Sequence, residues 1–251
     1  MNISKQLEIL LKRPFLAYEK FHSLTNINAK QFSVKQLSRS EWPETWKKQY
    51  FKGYPRLPQV SLPKPNLSPL SLQTILEKRR SKRTFSAIPM SRQSLSTLLY
   101  YSAGINQHNR KINRFYPSAG GRFPLEVYVV STNTQFSKGL YHYYVPSHSL
   151  EKLSLLNDFS YKNYFNQKWI EKANSLILIT GVFKRNTIKY QNRGYRYILL
   201  EAGHIGQNFY LVSTALGLSC CAIGGFADNN FNNLLDIDGI NESVLYVLAI
   251  G

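Results

Sequence analysis

Arg79, Arg80, Ser81, Lys82 and Arg83 place four cations and a hydroxyl within about two turns of chain. Guanidinium groups donate in a planar fork that matches phosphate oxygens, so this run suits a phosphate ligand. It falls at the end of a helical pattern, where the helix dipole gives no help, and side-chain charge would have to do the binding; a solvated cationic last turn is the alternative. Pro117, Ser118, Ala119, Gly120 and Gly121 form a run of small residues that lets main chain approach a ligand and present N–H groups in a row, or simply turns before a strand. Ile223, Gly224 and Gly225 close an apolar run with a glycine pair. Lys189, Tyr190, Arg193, Tyr195 and Arg196 gather polar and cationic groups at the start of the longest periodic stretch in the chain.

That stretch must position the rest. Ile198, Leu199, Ala202, Ile205, Phe209, Leu211, Val212, Ala215 and Leu216 recur at threes and fours, predicting a helix from about Arg193 to a stop at Gly217. Gly203 and Gly206 each cost such a helix about 1 kcal/mol relative to Ala, which points to close approach of another backbone or a flat ligand. Ser71 caps a helix running into the basic cluster, and Ser91 to Ala103 carries Leu95, Leu98 and Leu99 on one face. Strand patterns occupy 125–131, 139–145, 175–182, 218–225 and the final VLYVLAIG; an amphipathic helix is predicted within 159–173 and a helical turn at FNNLLD. Hairpin-like strands early and helical crossovers later predict an α+β three-layer sandwich, not a uniformly alternating doubly wound sheet. Before it come an amphipathic helical arm, 1–53, and a proline-rich segment, 54–70, that must be extended; 71–251 form the main domain.

The chain has 251 residues, and its net charge is +18 from 32 basic and 14 acidic residues. Such a field attracts polyanions or acidic peptides. Scattered basic residues without a finger or RRM signature argue against nucleic acid as the main ligand. No apolar run of about 18 residues predicts a membrane span, and the first fifteen residues read as a surface helix, not a signal peptide. Cys220 and Cys221 are adjacent, too close for an unstrained disulfide, and read as reduced core residues of a cytoplasmic protein. The five histidines show no metal-ligand spacing, so no metal is expected.

The order RRSKR, PSAGG, long helix, AIGG resembles the flavin-dependent nitroreductase superfamily. YPSAGGRFPLEVYVV, GLYHYYV and KYQNRGYRYILLEAGHIGQNFYLVSTALGL are similar to the SagB-type dehydrogenases, the FMN-dependent azoline oxidases of thiazole/oxazole-modified peptide pathways, the microcin type included. The likeness covers about residues 54–251. It implies a nitroreductase-like three-layer α-β-α sandwich in an interlocked homodimer, with two FMN sites each built from both chains. Arg79, Arg80, Ser81 and Arg83 match the segment that holds the FMN phosphate. Pro117, Ser118, Ala119 and Gly120 match the loop along the pyrimidine edge, and Ile223, Gly224 and Gly225 the backbone near N5. Lys189 and Tyr190 match the family's catalytic Lys-Tyr pair. With the sequence ending at Gly251, Arg193 or Arg196 is expected to substitute for a further phosphate-binding cation.

The implied reaction removes a proton from one carbon of a thiazoline or oxazoline and a hydride from its neighbour, with dioxygen as final acceptor. Tyr and Lys ordinarily titrate near 10, so Lys189 and Tyr190 are expected to act as a coupled pair, either one taking the proton. The implied partners are an azoline-containing precursor peptide and a cyclodehydratase complex. An NAD(P)H-dependent nitro or quinone reductase on the same scaffold, and a non-catalytic basic binding module, are the alternatives.

Overall fold

The computed structural model of the chain describes residues 17–27, 38–106, 113–156 and 159–251. The helix expected over the first fifteen residues lies outside these. Helices among the described residues are α1 (Ala17–Leu24), the single turn α2 (Glu44–Lys47), α3 (Leu72–Lys78), α4 (Arg92–Ala103), α5 (Lys184–Ala215) and α6 (Asp228–Leu234). The main strands are β1 (Gln59–Ser61), β4 (Leu125–Ser131), β5 (Gly139–Tyr144), β6 (Ser149–Ser154), β7 (Ser175–Val182), β8 (Cys220–Ile223) and β9 (Glu242–Ile250), while β2 (Ile105–Asn106) and β3 (Asn113–Arg114) form a small separate ribbon.

The sheet runs β1-β6-β5-β4-β7-β9-β8 with every neighbouring pair antiparallel. Its central strands bury both faces, and side chains alternate between two cores with the strand period of two. Val127 and Val129 of β4, Ile177 and Ile179 of β7, and Leu248 and Ile250 of β9 join Leu95, Leu98 and Leu99 of α4 and Ile198, Ile205 and Phe209 of α5. Tyr128 and Val130, Leu176 and Leu178, and Val247 and Ala249 face the other way, against Phe165, Ile170 and Phe231. The result is the expected three-layer α+β arrangement. The caps follow the sequence signals: Thr74 N–H donates to Ser71 Oγ at 3.1 Å and Ser94 N–H to Ser91 Oγ at 2.9 Å.

Two local expectations are corrected. The 159–173 stretch is not one helix but two short 3-10 turns, Tyr161–Asn163 and Lys168–Lys172, whose apolar side chains bury against the sheet. The proline-rich segment is extended as expected, and within it β1 pairs with β6 along the edge of the sheet. The long helix starts at Lys184, so Lys189 and Tyr190 are inside it, ahead of a break at Gln191 (φ 48°, ψ −138°). The break folds the first two turns back so closely that a Cβ at Gly194 would lie 2.9 Å from the Thr187 Cα, which only a glycine accommodates.

Gly206 and Gly203, singled out by sequence, part ways. A Cβ at Gly206 would meet the Tyr246 ring at 2.5 Å, whereas one at Gly203 meets nothing within 4 Å. Gly206→Ala is therefore expected to destabilise the chain by about 1–3 kcal/mol through overpacking, and Gly203→Ala to leave monomer stability unchanged or raise it by up to about 1 kcal/mol. Urea unfolding of the two variants side by side checks this.

Candidate functional site

One cluster is organised by Tyr210 of α5. Its hydroxyl accepts from the Ala222 N–H at 2.8 Å and pairs with Ser81 Oγ at 3.0 Å, while Arg79 lies over its ring, 5.5 Å from the centroid. Lys82 N–H donates to Cys220 O at 3.0 Å, so the basic segment runs along the outer edge of β8. Arg83 stands over Trp169 at 5.7 Å, and Arg80 turns back onto the carbonyls of Glu77 and Arg79. Arg80, Ser81, Lys82 and Arg83 are exposed and Arg79 half-buried, with Ile223 buried below and Gly224 and Gly225 exposed at the end of the strand. The structure thus brings the expected phosphate-type cluster to the glycine pair.

A second cluster forms where the break in α5 meets the 117–122 loop. Gly120 has φ +65°, and a Cβ there would meet the Tyr190 hydroxyl at 2.5 Å and Lys189 Nζ at 3.3 Å. Tyr190 packs edge-on against Tyr197 at 5.2 Å. Burial pushes the Tyr190 phenol above its ordinary value, the neighbouring Tyr197 adding to this and Arg122 opposing it, so the phenol is protonated at neutral pH. Gly120→Ala faces both left-handed strain and this contact. It is expected to cost about 1–3 kcal/mol of stability and to displace the Tyr190 ring, which urea unfolding and near-UV circular dichroism report together.

Arg122 ties the surroundings of this cluster together. Its guanidinium donates to Trp46 O at 2.7 Å, to Thr45 O at 3.0 Å and to Arg185 O. Gln49 Nε2 donates to Gly121 O at 2.9 Å, so the segment around α2 is docked on the loop. Arg185 pairs with Glu126 at 2.6 Å, and Glu126 joins His142 and Glu151 in a buried chain at 3.3 and 2.8 Å. The same Glu126 and Glu151 accept the backbone N–H groups of Lys52 and Tyr54, anchoring the arm and the first turn of α5 to the sheet.

Glu201, on α5, is 2% exposed and neither carboxylate oxygen has a hydrogen-bond partner of good geometry. Burial pushes its carboxyl up to about 8, against the opposing pull of Ser118, Arg114 and the Ala119 N–H.

Arg193 and Arg196 are elsewhere. Arg193 donates to Thr25 O at 2.8 Å and Arg196 to His22 O at 3.1 Å and to Thr25 Oγ1, so both hold the carbonyls at the end of α1 and are not beside the 79–83 cluster. Cationic side chains commonly satisfy carbonyls at a helix C-terminus, and here that use takes both arginines. Sequence reasoning missed Tyr210, Arg122, Glu201 and the Trp42/Trp46 segment. Of these, only Glu201, a carboxylate on the apolar face of a helix, left a readable signal.

The two clusters lie on opposite sides of α5. Tyr197 and Glu201, four apart, face the 118–120 loop and Tyr190, while Tyr210 is nine residues beyond Glu201. Nine residues are about two and a half turns, half a turn out of phase and roughly 14 Å further along the axis.

The fold is that of the nitroreductase family. Residues 76–251 match the Nitroreductase family model, and the chain belongs to that family, whose members are flavin-using oxidoreductases. It is 31% identical over 191 residues to MJ1384 of Methanocaldococcus jannaschii, a protein named for the same family, covering 74% of this chain and 93% of that one. It is 30% identical over 148 residues to the microcin B17-processing protein McbC of Escherichia coli, covering 56% of this chain and 54% of McbC. With the trifolitoxin-processing protein TfxB of Rhizobium leguminosarum it shares 25% over 203 residues, or 75% of this chain and 48% of TfxB, so the aligned part spans about half of each processing protein. Among solved structures, a chain of the E. coli McbBCD microcin synthetase complex with truncated pro-MccB17 bound superposes with a TM-score of 0.61 at 22% identity, over 93% of this chain and 91% of that one. These relatives agree with the SagB-type likeness read from the sequence.

The residues present fit a flavin. Exposed Arg80, Lys82 and Arg83 with half-buried Arg79 offer phosphate donors, and a Cβ at Gly224 or Gly225 would meet nothing within 4 Å, leaving room for a flat ring to approach the main chain. Among the described residues, no helix is long and apolar enough to cross a membrane.

Proposed function

We propose that the chain is an FMN-dependent azoline oxidase that converts thiazoline or oxazoline rings of a ribosomal precursor peptide to thiazole or oxazole. Each site takes 79–83, Tyr210 and 223–225 from one subunit of a homodimer, and 117–120, Lys189 and Tyr190 from the other. The observation that carries this reading is the placement of the two clusters on opposite faces of α5. One mononucleotide cannot touch both within a chain, and a second copy can bring them together. Leu199 and Leu200 are 38% and 57% exposed beside the open face of Gly203, an apolar surface on the central helix suited to such pairing.

Bound FMN would supply the hydride acceptor. Arg79, Arg80, Ser81 and Arg83 would hold its phosphate, and the Gly224 and Gly225 N–H groups would help hold the ring. For Lys189 and Tyr190 to accept as a coupled pair the proton that leaves the neighbouring ring carbon, the pair first releases one proton to solvent, because a neutral phenol and an ammonium have no place for another. Dioxygen is the final acceptor. The net charge of +18 suits an acidic leader peptide and a cyclodehydratase partner that installs the azoline rings.

Subunit complementation tests the composite site. Lys189→Ala disables one cluster and Gly225→Glu the other, and each alone is expected to lack turnover. Refolded as an equal mixture, half the dimers are mixed, and one of their two sites has neither change, so about a quarter of wild-type activity returns. No recovery in proven mixed dimers would contradict a site shared between chains.

A further inference from the structure

The segment that precedes the family-matched region reaches the Lys189–Tyr190 pair. Lys189 Nζ lies 3.1 Å from the centroid of the Trp42 ring and 5.6 Å from that of Trp46, with the Tyr190 ring at 5.2 Å. Three aromatic faces thus surround one ammonium group, and cation–π attraction is strongest toward Trp. The two tryptophans meet edge-on at 6.4 Å. Their backbone is fixed by the Arg122 bonds to Thr45 and Trp46, and Gln49 bonds to Gly121. Trp42 and Trp46 are themselves only half-buried and belong to neither hydrophobic core.

We propose that Trp42 is a positioning residue: its indole face, supported by Trp46, holds the Lys189 ammonium against Gly120 and Tyr190, so that residues outside 76–251 complete the site. A role in turnover rests on the azoline-oxidase reading; the contact itself does not. The π face, not the volume, is what the arrangement uses, and this separates it from simple packing. Phe keeps a weaker aromatic face at that position, whereas Leu fills space without one.

The test uses the full-length, FMN-loaded protein with Trp42→Leu and Trp42→Phe. Acetic anhydride labelling of Lys189 at one fixed pH, followed by peptide mass mapping, reads how firmly the amine is held, whether or not a substrate is turned over. Trp42→Leu is expected to label Lys189 about tenfold faster than wild type and Trp42→Phe within about threefold, with flavin absorbance and melting temperature unchanged. Against an azoline peptide, kcat should fall about tenfold in Trp42→Leu with little change in KM, and recover most of the way in Trp42→Phe. Unchanged labelling in Trp42→Leu overturns the proposal, as does equal loss in both variants, which would mean space-filling. If wild type leaves azoline rings unchanged while the labelling pattern appears as stated, the function reading fails and the Trp42 contact stands.

Discussion

Lys189→Ala in the FMN-loaded protein is expected to lower azoline turnover by about 10²–10⁴-fold, the usual worth of a positioned proton acceptor. Flavin should stay bound, because the cations at 79–83 and the glycine pair are untouched. Tyr190→Phe keeps the ring that packs on Tyr197 at 5.2 Å and removes only the hydroxyl beside Gly120. A comparable loss is expected there, and the double variant should be hardly slower than either single one, since the two act as a unit. Steady-state oxidation with the flavin spectrum recorded in parallel checks all three. Wild-type rates in both single variants would remove Lys189 and Tyr190 from the chemistry.

The largest stability effect belongs to Glu201. Its carboxyl rises from 4.5 unfolded to about 8 folded, chiefly through burial, so the folded chain binds a proton that the unfolded chain has released. A raised carboxyl pKa makes folding weaken as pH climbs. The group is without penalty below about pH 4.5, loses stability through the window from 4.5 to 8, and has its full cost above it. At 1.36 kcal/mol per unit the cost reaches several kcal/mol, on the order of 5 at most. Glu201→Gln keeps the shape and cannot ionise. Urea unfolding at pH 5 and pH 8 should show the wild type losing stability relative to Glu201→Gln, with the variant more stable at the higher pH. Parallel pH profiles for the two proteins would show that Glu201 ionises freely in the folded chain.

The central architecture was legible because its signals are local. Alternation in LEVYVVS and SLILITGV, Ser caps at 71 and 91, and the threes-and-fours pattern after Arg193 each correspond to an element in place. What escaped depends on contacts distant in sequence. β6, SLEKLS, reads as polar, yet Glu151 is buried because His142 on the next strand pairs with it. Nothing near Gln191 announces a break, since neither glycine nor proline stands there; the backbone approach at Gly194 is its trace. Arg193 and Arg196 had the right chemistry for phosphate, but their contacts with α1 span more than 160 positions of sequence separation. The Trp42–Lys189 contact is equally long-range. Residue types with the family likeness pointed to the residues of both clusters; their division between opposite faces of α5 needed the fold.

Incubating an azoline-containing precursor peptide with the FMN-loaded protein in air and weighing the product by mass spectrometry tests the central claim most directly. Loss of the mass of two hydrogens per ring is the predicted result. Rings of unchanged mass, from a preparation that consumes NADPH with a nitroaromatic or quinone acceptor, would contradict it.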